Sequence, residues 1–82
     1  MKITAKGMFK RLGYERENTH SERFIAYKNP IISSYIQFDL KNKTYISYRI
    51  GFEGKMQPRI ISIKEMLAIQ KQIEELGWLE ER

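Results

Sequence analysis

The chain has 82 residues, 41% of them hydrophobic and 30% charged, and it contains no cysteine. This composition is that of an ordinary folded domain, and it excludes a disulfide framework, a thiol nucleophile and a cysteine zinc site. No apolar run approaches the roughly 18 residues that a membrane span requires, and the first residues lack the apolar region of a secretory signal. We therefore expect residues 1–82 to form one domain of a cytoplasmic protein.

The net charge of +5 is unevenly distributed along the chain. Residues 1–60 hold twelve Lys/Arg and five acids, a net charge of +7, whereas residues 61–82 hold three Lys/Arg and five acids. Such asymmetry is typical of proteins that attract nucleic acid or an acidic protein partner, although it can also serve solubility alone.

A short helix is predicted over residues 5–12. Thr4 is a suitable N-cap, and Met8, Phe9 and Leu12 give the segment an apolar side before Gly13 ends it. A glycine in its interior weakens the helix by about 1 kcal/mol relative to alanine. We therefore expect this helix to depend on tertiary contacts.

Three strands are predicted next, over residues 22–28, 34–40 and 44–50, which are rich in Ile, Tyr and Phe and are separated by turn-forming residues. Residues 56–61 are a fourth, weaker candidate. Pro58 cannot donate to a strand ladder, so a strand there belongs at an edge of the sheet.

The hydrophobic pattern also predicts how the second hairpin is paired. If Ile36, Phe38 and Leu40 share a face with Ile46, then Phe38 lies opposite Ile46 and the loop has an odd number of residues, most simply 41–43. The other face of this hairpin then carries Tyr35, Gln37, Asp39, Tyr45, Ser47 and Arg49.

The last element is a predicted helix over residues 63–76. Ser62 followed by Glu65 forms a capping box, and Gly77 is placed to close the helix in a left-handed conformation. Its predicted apolar side consists of Ile63, Met66, Leu67, Ile69, Ile73 and Leu76. The order of elements predicts an α+β fold, in which a short N-terminal helix and a C-terminal amphipathic helix cover one face of a three- or four-stranded antiparallel sheet.

The sequence contains no recognisable catalytic or metal-binding motif. His20 is the one histidine, it lies in a polar loop-like stretch, and it has no neighbours at metal-ligand spacing. Neither a G-x-S-x-G nucleophile motif nor a phosphate-binding G-x-x-x-x-G-K motif occurs. We expect no catalytic, cofactor or metal site, no small-molecule substrate, and a protein that is not an enzyme.

The predicted uncovered sheet face is the candidate site, alone or together with the Pro58-containing edge. It would carry Tyr35, Gln37, Tyr45 and Arg49, with Lys55 and Arg59 nearby in the chain. Tyrosine and arginine are enriched at protein interfaces, and the same types can stack on bases and contact phosphates of single-stranded nucleic acid. They are also common on solvated strands. A protein partner or self-association, a nucleic-acid ligand, and no ligand at all stay open as interpretations.

Three segments carry a resemblance to a known group: "MFKRLGYE" near the start, "YIQFDLKNKTYISY" in the middle and "ISIKEMLAIQKQIEELGWL" at the end. Together they are similar to small uncharacterised proteins encoded by phages and prophages of low-GC Gram-positive bacteria. The resemblance implies no site residues. It implies a setting in the host bacterial cytosol, where such accessory proteins commonly bind host or phage macromolecules, including as inhibitors of host systems.

Overall fold

A computed structural model describes residues 3–51 and 53–79 of the chain. Two helices flank a five-stranded antiparallel sheet in which the strands follow one another in chain order. The elements are α1 (Ala5–Arg11), β1 (Glu15–Glu17), β2 (Phe24–Asn29), β3 (Ser34–Asp39), β4 (Thr44–Ile50), β5 (Met56–Pro58) and α2 (Ile63–Glu75). The predicted α+β fold is confirmed, with five strands rather than three or four.

The helix boundaries follow the predicted capping signals. The Thr4 hydroxyl accepts from the Gly7 amide at 3.0 Å. Ser62 and Glu65 form both halves of the capping box at the start of α2. Gly13 and Gly77 adopt φ values of 93° and 74° just beyond the two helices, the left-handed region that glycine enters without steric cost.

Strand β1 was not predicted. Its residues, Glu15, Arg16 and Glu17, are all charged and exposed, so the sequence shows no apolar alternation there. The strand forms because it pairs with β2, with Arg16 opposite Tyr27. Pairing with a neighbour, rather than the character of its own side chains, creates this edge of the sheet.

The predicted register of the β3–β4 hairpin is wrong. Asp39 pairs with Thr44, so the loop has four residues, 40–43, and Phe38 lies opposite Tyr45. The Asp39 carboxylate accepts from the Lys41 and Asn42 amides, and Lys43 takes a left-handed φ of 54°. Because the Asp39 side chain closes a four-residue turn, β4 is shifted by one residue relative to the predicted pairing. A shift of one residue moves every β4 side chain to the opposite face of the sheet.

The hydrophobic core lies between the helices and one sheet face. Phe9 of α1 is fully buried and stacks on Tyr27 of β2 with ring centroids 4.1 Å apart. Phe38 of β3 meets both rings edge-on. Trp78 packs edge-on against Phe38 from beyond the end of α2, with centroids 6.3 Å apart. Aromatic rings from α1, β2, β3 and the turn after α2 therefore hold both helices on the same face of the sheet.

Only part of the predicted apolar side of α2 faces this core. Ile69 is buried, and Ile73 and Leu76 are half-buried against the cluster, as predicted. Two polar residues of α2, Glu65 and Gln72, are also buried on the side of the helix that faces the sheet. Their burial is compensated by hydrogen bonds, from the Tyr14 hydroxyl to Glu65 and from the Tyr27 hydroxyl to Gln72. Ile63, Met66 and Leu67 are exposed on the outer side of the helix.

Ser47 provides a test of the observed register. Within residues 3–51 and 53–79, its hydroxyl is the one buried side-chain polar atom without a hydrogen-bond partner. Because an unsatisfied buried hydroxyl costs free energy, Ser47→Ala should raise the free energy of unfolding by about 1 kcal/mol in urea titrations. Ser34→Ala is the matched control. It should have the opposite sign, because the Ser34 hydroxyl is bonded to Tyr14 and Arg59. A loss of stability in Ser47→Ala would contradict the observed register.

Candidate interaction surfaces

The sheet face away from the helices, here called the open face, is built by alternating residues of the strands. The register places Tyr35 beside Tyr48, Gln37 beside Ile46, and Ile50 beside Met56 on this face. Both helices pack on the opposite face, and Ile46 and Met56 are 48% and 60% exposed. The open face is therefore accessible, and its β4–β5 half is mainly apolar.

Two stacked tyrosines lie near the middle of the open face. The rings of Tyr35 and Tyr48 are nearly parallel, at 9°, with centroids 5.1 Å apart. Lys28, which pairs with Tyr35 from the β2 side, places its Nζ atom 5.7 Å from the Tyr35 centroid. Tyr35 thus has Lys28 on one side of its ring and Tyr48 on the other. Burial raises the pKa of Tyr48. The two stacked rings form an aromatic platform on the open face.

A shallow depression of about 160 Å³ lies on the same face beside this platform. Phe24, Gln37 and Ile46 line it, and the Arg23 guanidinium lies 5.1 Å above the Phe24 ring. Arg23 is also bonded through two nitrogens to Asp39 at 3.1 and 2.9 Å, and these bonds keep the pKa of Asp39 well below its usual range. The depression has mixed polar and apolar walls, with the Arg23–Asp39 ion pair at its rim.

Tyr45 and Arg49 do not lie on the open face, contrary to the prediction. The one-residue shift turns both towards the helices, where Tyr45 packs against Phe38 with centroids 5.9 Å apart. Tyr45 there lines a cavity of about 460 Å³ with Ile73 and Trp78. Arg49 pairs with Ser34 in the ladder and borders a separate cavity near Ile60.

Lys55 and Arg59 are also apart from the open face. Lys55 is exposed in the turn before β5, 3.5 Å from the carboxylate of Glu53. Arg59 lies on the helix side, in an ion pair with Glu65. Of the six predicted site residues, Tyr35 and Gln37 therefore lie on the open face and the other four do not.

Arg59 belongs to a polar cluster between the start of α2 and the sheet. Its Nη1 atom shares its two hydrogens among three acceptors, the Glu65 carboxylate and, at 2.6 Å, the hydroxyl oxygens of Tyr14 and Ser34. The Tyr14 hydroxyl itself donates to Glu65 at 2.6 Å, so Ser34 is left to donate to Tyr14. Burial and the bond to Glu65 raise the pKa of Tyr14. Every group in the cluster is engaged by another, so the cluster joins the start of α2 to β3 and to the end of α1 through hydrogen bonds.

The site residues that sequence reasoning missed are Ile46, Tyr48, Ile50, Met56 and Phe24. One sequence feature favours the observed register, which places Ile46, Tyr48 and Ile50 on the open face. Asp39 precedes "LKNK", and an aspartate at this position closes a turn by accepting backbone amides, which favours a loop of four residues. Without that signal, the apolar Ile46 and Ile50 are naturally assigned to the core.

The edges of the sheet are poorly suited to adding another strand. β1 has three charged residues, and β5 has three residues that include Pro58. Short, charged or proline-containing edges discourage pairing with a further chain. This leaves the open face, rather than an edge, as the larger candidate surface.

His20 is exposed in the loop before β2, with a left-handed φ of 56°. In the described part of the chain, histidine and acidic side chains form no group of three that could hold a metal ion. Neither helix of the described ranges is long and apolar enough to cross a membrane. Comparisons with protein-family models, with curated proteins and with solved structures find no match to this chain.

Proposed function

We propose that this chain is a non-enzymatic binding protein that holds a host or phage protein on its open face, in the phage or prophage setting that the sequence resemblance implies. The observation that carries the proposal is the exposed apolar and aromatic surface formed by Tyr35, Tyr48, Ile46 and Met56 on a sheet face that neither described helix covers. Such a surface is the usual centre of a protein interface, where aromatic and aliphatic anchors are buried together.

The charge of this face favours a protein over a nucleic acid. The register removes Arg49 from the face and puts Tyr48 and Ile50 there. Arg23 beside this face is paired with Asp39. Among the open-face residues of β2, β3 and β4, Lys28 is then the one cation, and it is in none of the ion pairs of the described residues. Binding to a phosphate backbone depends on several such cations, whereas a protein interface core is depleted of them.

The tyrosine pair supports the same choice. Bases stack on aromatic rings whose faces are free. Tyr35 lies between Lys28 and Tyr48, so both faces of its ring have neighbours already. A preformed, rigid aromatic pair instead offers contact area at little cost in side-chain entropy, which favours a folded protein surface as the ligand.

A matched pair of substitutions tests the proposal. Ile46→Lys places a charge in the middle of the open face, and Ile63→Lys places the same charge on the outer side of α2, where the isoleucine is 71% exposed. The wild-type chain should capture a protein from host lysate that mass spectrometry identifies and that binds again when purified. Ile46→Lys should weaken this binding at least tenfold, because a charge would be desolvated in the interface, and Ile63→Lys should not.

The outcomes distinguish the kinds of partner. A light-scattering mass twice the 9.8 kDa of the chain, lost in Ile46→Lys, would identify the partner as a second copy. Equal binding by the two variants would refute the open face as the interface. Circular dichroism of both variants should match the wild type, since both isoleucines are exposed.

A further inference from the structure

A second surface, separate from the open face, is basic. Lys6 and Lys10 lie one turn apart on α1, on the side that faces β1. Arg16 of β1 lies on the helix side of the sheet, opposite Tyr27 in the ladder. These three cations line a cavity of about 440 Å³, together with Gly13, Tyr14 and Glu15. We call this surface the basic groove.

The groove continues past the end of β1. An adjoining cavity of about 390 Å³ shares Lys6 and Arg16 with the first, and Asn18, Thr19 and Ser21 line its far side. Two adjoining cavities with two cations in common form an extended site rather than a pocket for one small ion. The polar lining is of the kind that contacts phosphates alongside lysine and arginine.

Within residues 3–51 and 53–79, the acids around the groove form no ion pair with its three cations. Glu15 and Glu17 border the cavities, but strand alternation directs their side chains to the open face, where Glu15 pairs with Lys28 in the ladder. Glu75 is engaged at 2.7 Å by the Ala5 amide. Among the described residues, no ion pair within 4.0 Å involves Lys6, Lys10 or Arg16.

Arg16 is held in place for binding. Its guanidinium lies 5.8 Å from the centre of the Tyr27 ring, and Tyr27 is itself fixed by the stack on Phe9 and a 2.7 Å hydrogen bond to Gln72. Contact with an aromatic face restricts a guanidinium without neutralising it. An anion in the groove would thus meet a cation whose position is already restricted.

We propose that the basic groove binds the sugar-phosphate backbone of nucleic acid. A row of phosphates matches three cations and three neutral polar side chains spread over two adjoining cavities. An acidic protein segment fits less well, because Tyr14 in the lining is buried and Phe24 is half-buried, whereas protein interfaces depend on apolar anchors that the partner can cover. The proposal is independent of the proposed protein-binding function, since the three cations that carry it lie on the helix side of the sheet and the linings of the groove and of the open-face depression share Phe24 alone.

The test is fluorescence anisotropy with labelled 20-nucleotide single strands and duplexes between 50 and 200 mM salt. Wild-type protein should bind both at 50 mM and lose affinity log-linearly with salt. The double variant Lys6→Gln/Lys10→Gln removes two phosphate contacts, so its salt slope should be shallower by about 1.4 for single strands and about 1.8 for duplexes. Its affinity at 50 mM salt should fall at least tenfold.

The matched control is Lys41→Gln/Lys43→Gln, which changes the net charge equally in the β3–β4 loop. This control should keep most of the affinity and the wild-type slope. Equal losses in the two double variants would overturn the proposal, because net charge rather than the groove would then set the affinity. It would also be overturned by a lack of wild-type binding at 50 mM salt, or by polyglutamate of matched length competing as well as an unlabelled oligonucleotide.

Discussion

Replacing Glu65 with glutamine should lower the free energy of unfolding by about 3 kcal/mol at neutral pH. Glu65 is 6% exposed and forms the ion pair with Arg59, and removing one partner of a buried pair leaves the other charge uncompensated. Glutamine at this position can still complete a capping box with Ser62, so the loss reports the ion pair rather than the helix cap. Urea titration of the two proteins measures the difference.

The control is Glu74→Gln on the same helix. Glu74 is 3.9 Å from Lys71 in an exposed pair, so its loss should cost less than about 0.5 kcal/mol. Adding Arg59→Met to Glu65→Gln should recover part of the stability, because both members of the buried pair are then gone. Equal costs for the two glutamine variants would show that the Arg59–Glu65 pair does not stabilise the fold.

The same pair gives stability a defined pH dependence. Burial alone would raise the pKa of Glu65, but the hydrogen bonds from Arg59, Tyr14 and Ser62 outweigh burial and hold the pKa at about 2, below the ordinary 4.5. Since the folded-state pKa is the lower one, this contribution is complete above about pH 4.5 and is lost as the pH falls towards 2. Glu65→Gln should therefore lose less stability than the wild type between pH 6 and pH 3. Asp39, whose pKa Arg23 also lowers, leaves some acid sensitivity in both proteins.

Truncating Phe9 to alanine should cost about 4 kcal/mol of folding free energy. Phe9 is fully buried, stacks on Tyr27 and meets Tyr14 and Phe38 edge-on, so its removal leaves a cavity at the centre of the core. Helix α1 has seven residues, which is too short to be stable in water alone, and Phe9 provides much of its attachment to the sheet. We expect α1 amides to lose hydrogen-exchange protection before those of β3.

Phe24→Ala is the matched control for this truncation. Phe24 is half-buried at the edge of the open face, outside the core cluster, and its loss should cost about 1 kcal/mol. Both variants are measured by denaturant titration with the wild type alongside. A cost for Phe9→Ala no greater than that for Phe24→Ala would contradict the assignment of Phe9 as the residue that attaches α1.

Local signals in the sequence were sufficient for the helices. The caps at Thr4 and Ser62 and the glycines after each helix act within a few residues, so their effect does not depend on the rest of the fold. Strand β4 likewise coincides with the predicted 44–50. Strand β1 has no such local signal, because an all-charged segment becomes a strand through its partner alone.

The candidate site was predicted less well than the fold, for a reason that lies in β4. In this strand, Ile46, Tyr48 and Ile50 alternate with Tyr45, Ser47 and Arg49. From the sequence alone, this alternation predicts that the two isoleucines face the core. Burial does not decide the register here, because the residues on both faces of β4 are exposed or half-buried. The Asp39 turn decides it instead, and with it which side chains reach the open face.

The sequence by itself thus determined the element types apart from β1, the helix ends and the α+β class, since each depends on interactions between residues close in the chain. Only the tertiary structure decided which residues lie together. It turned Tyr45 and Arg49 towards the helices, enclosed Arg59 with Glu65, and brought Lys6 and Lys10 beside Arg16. These placements depend on a one-residue register and on hydrogen bonds between distant elements, which local patterns do not encode.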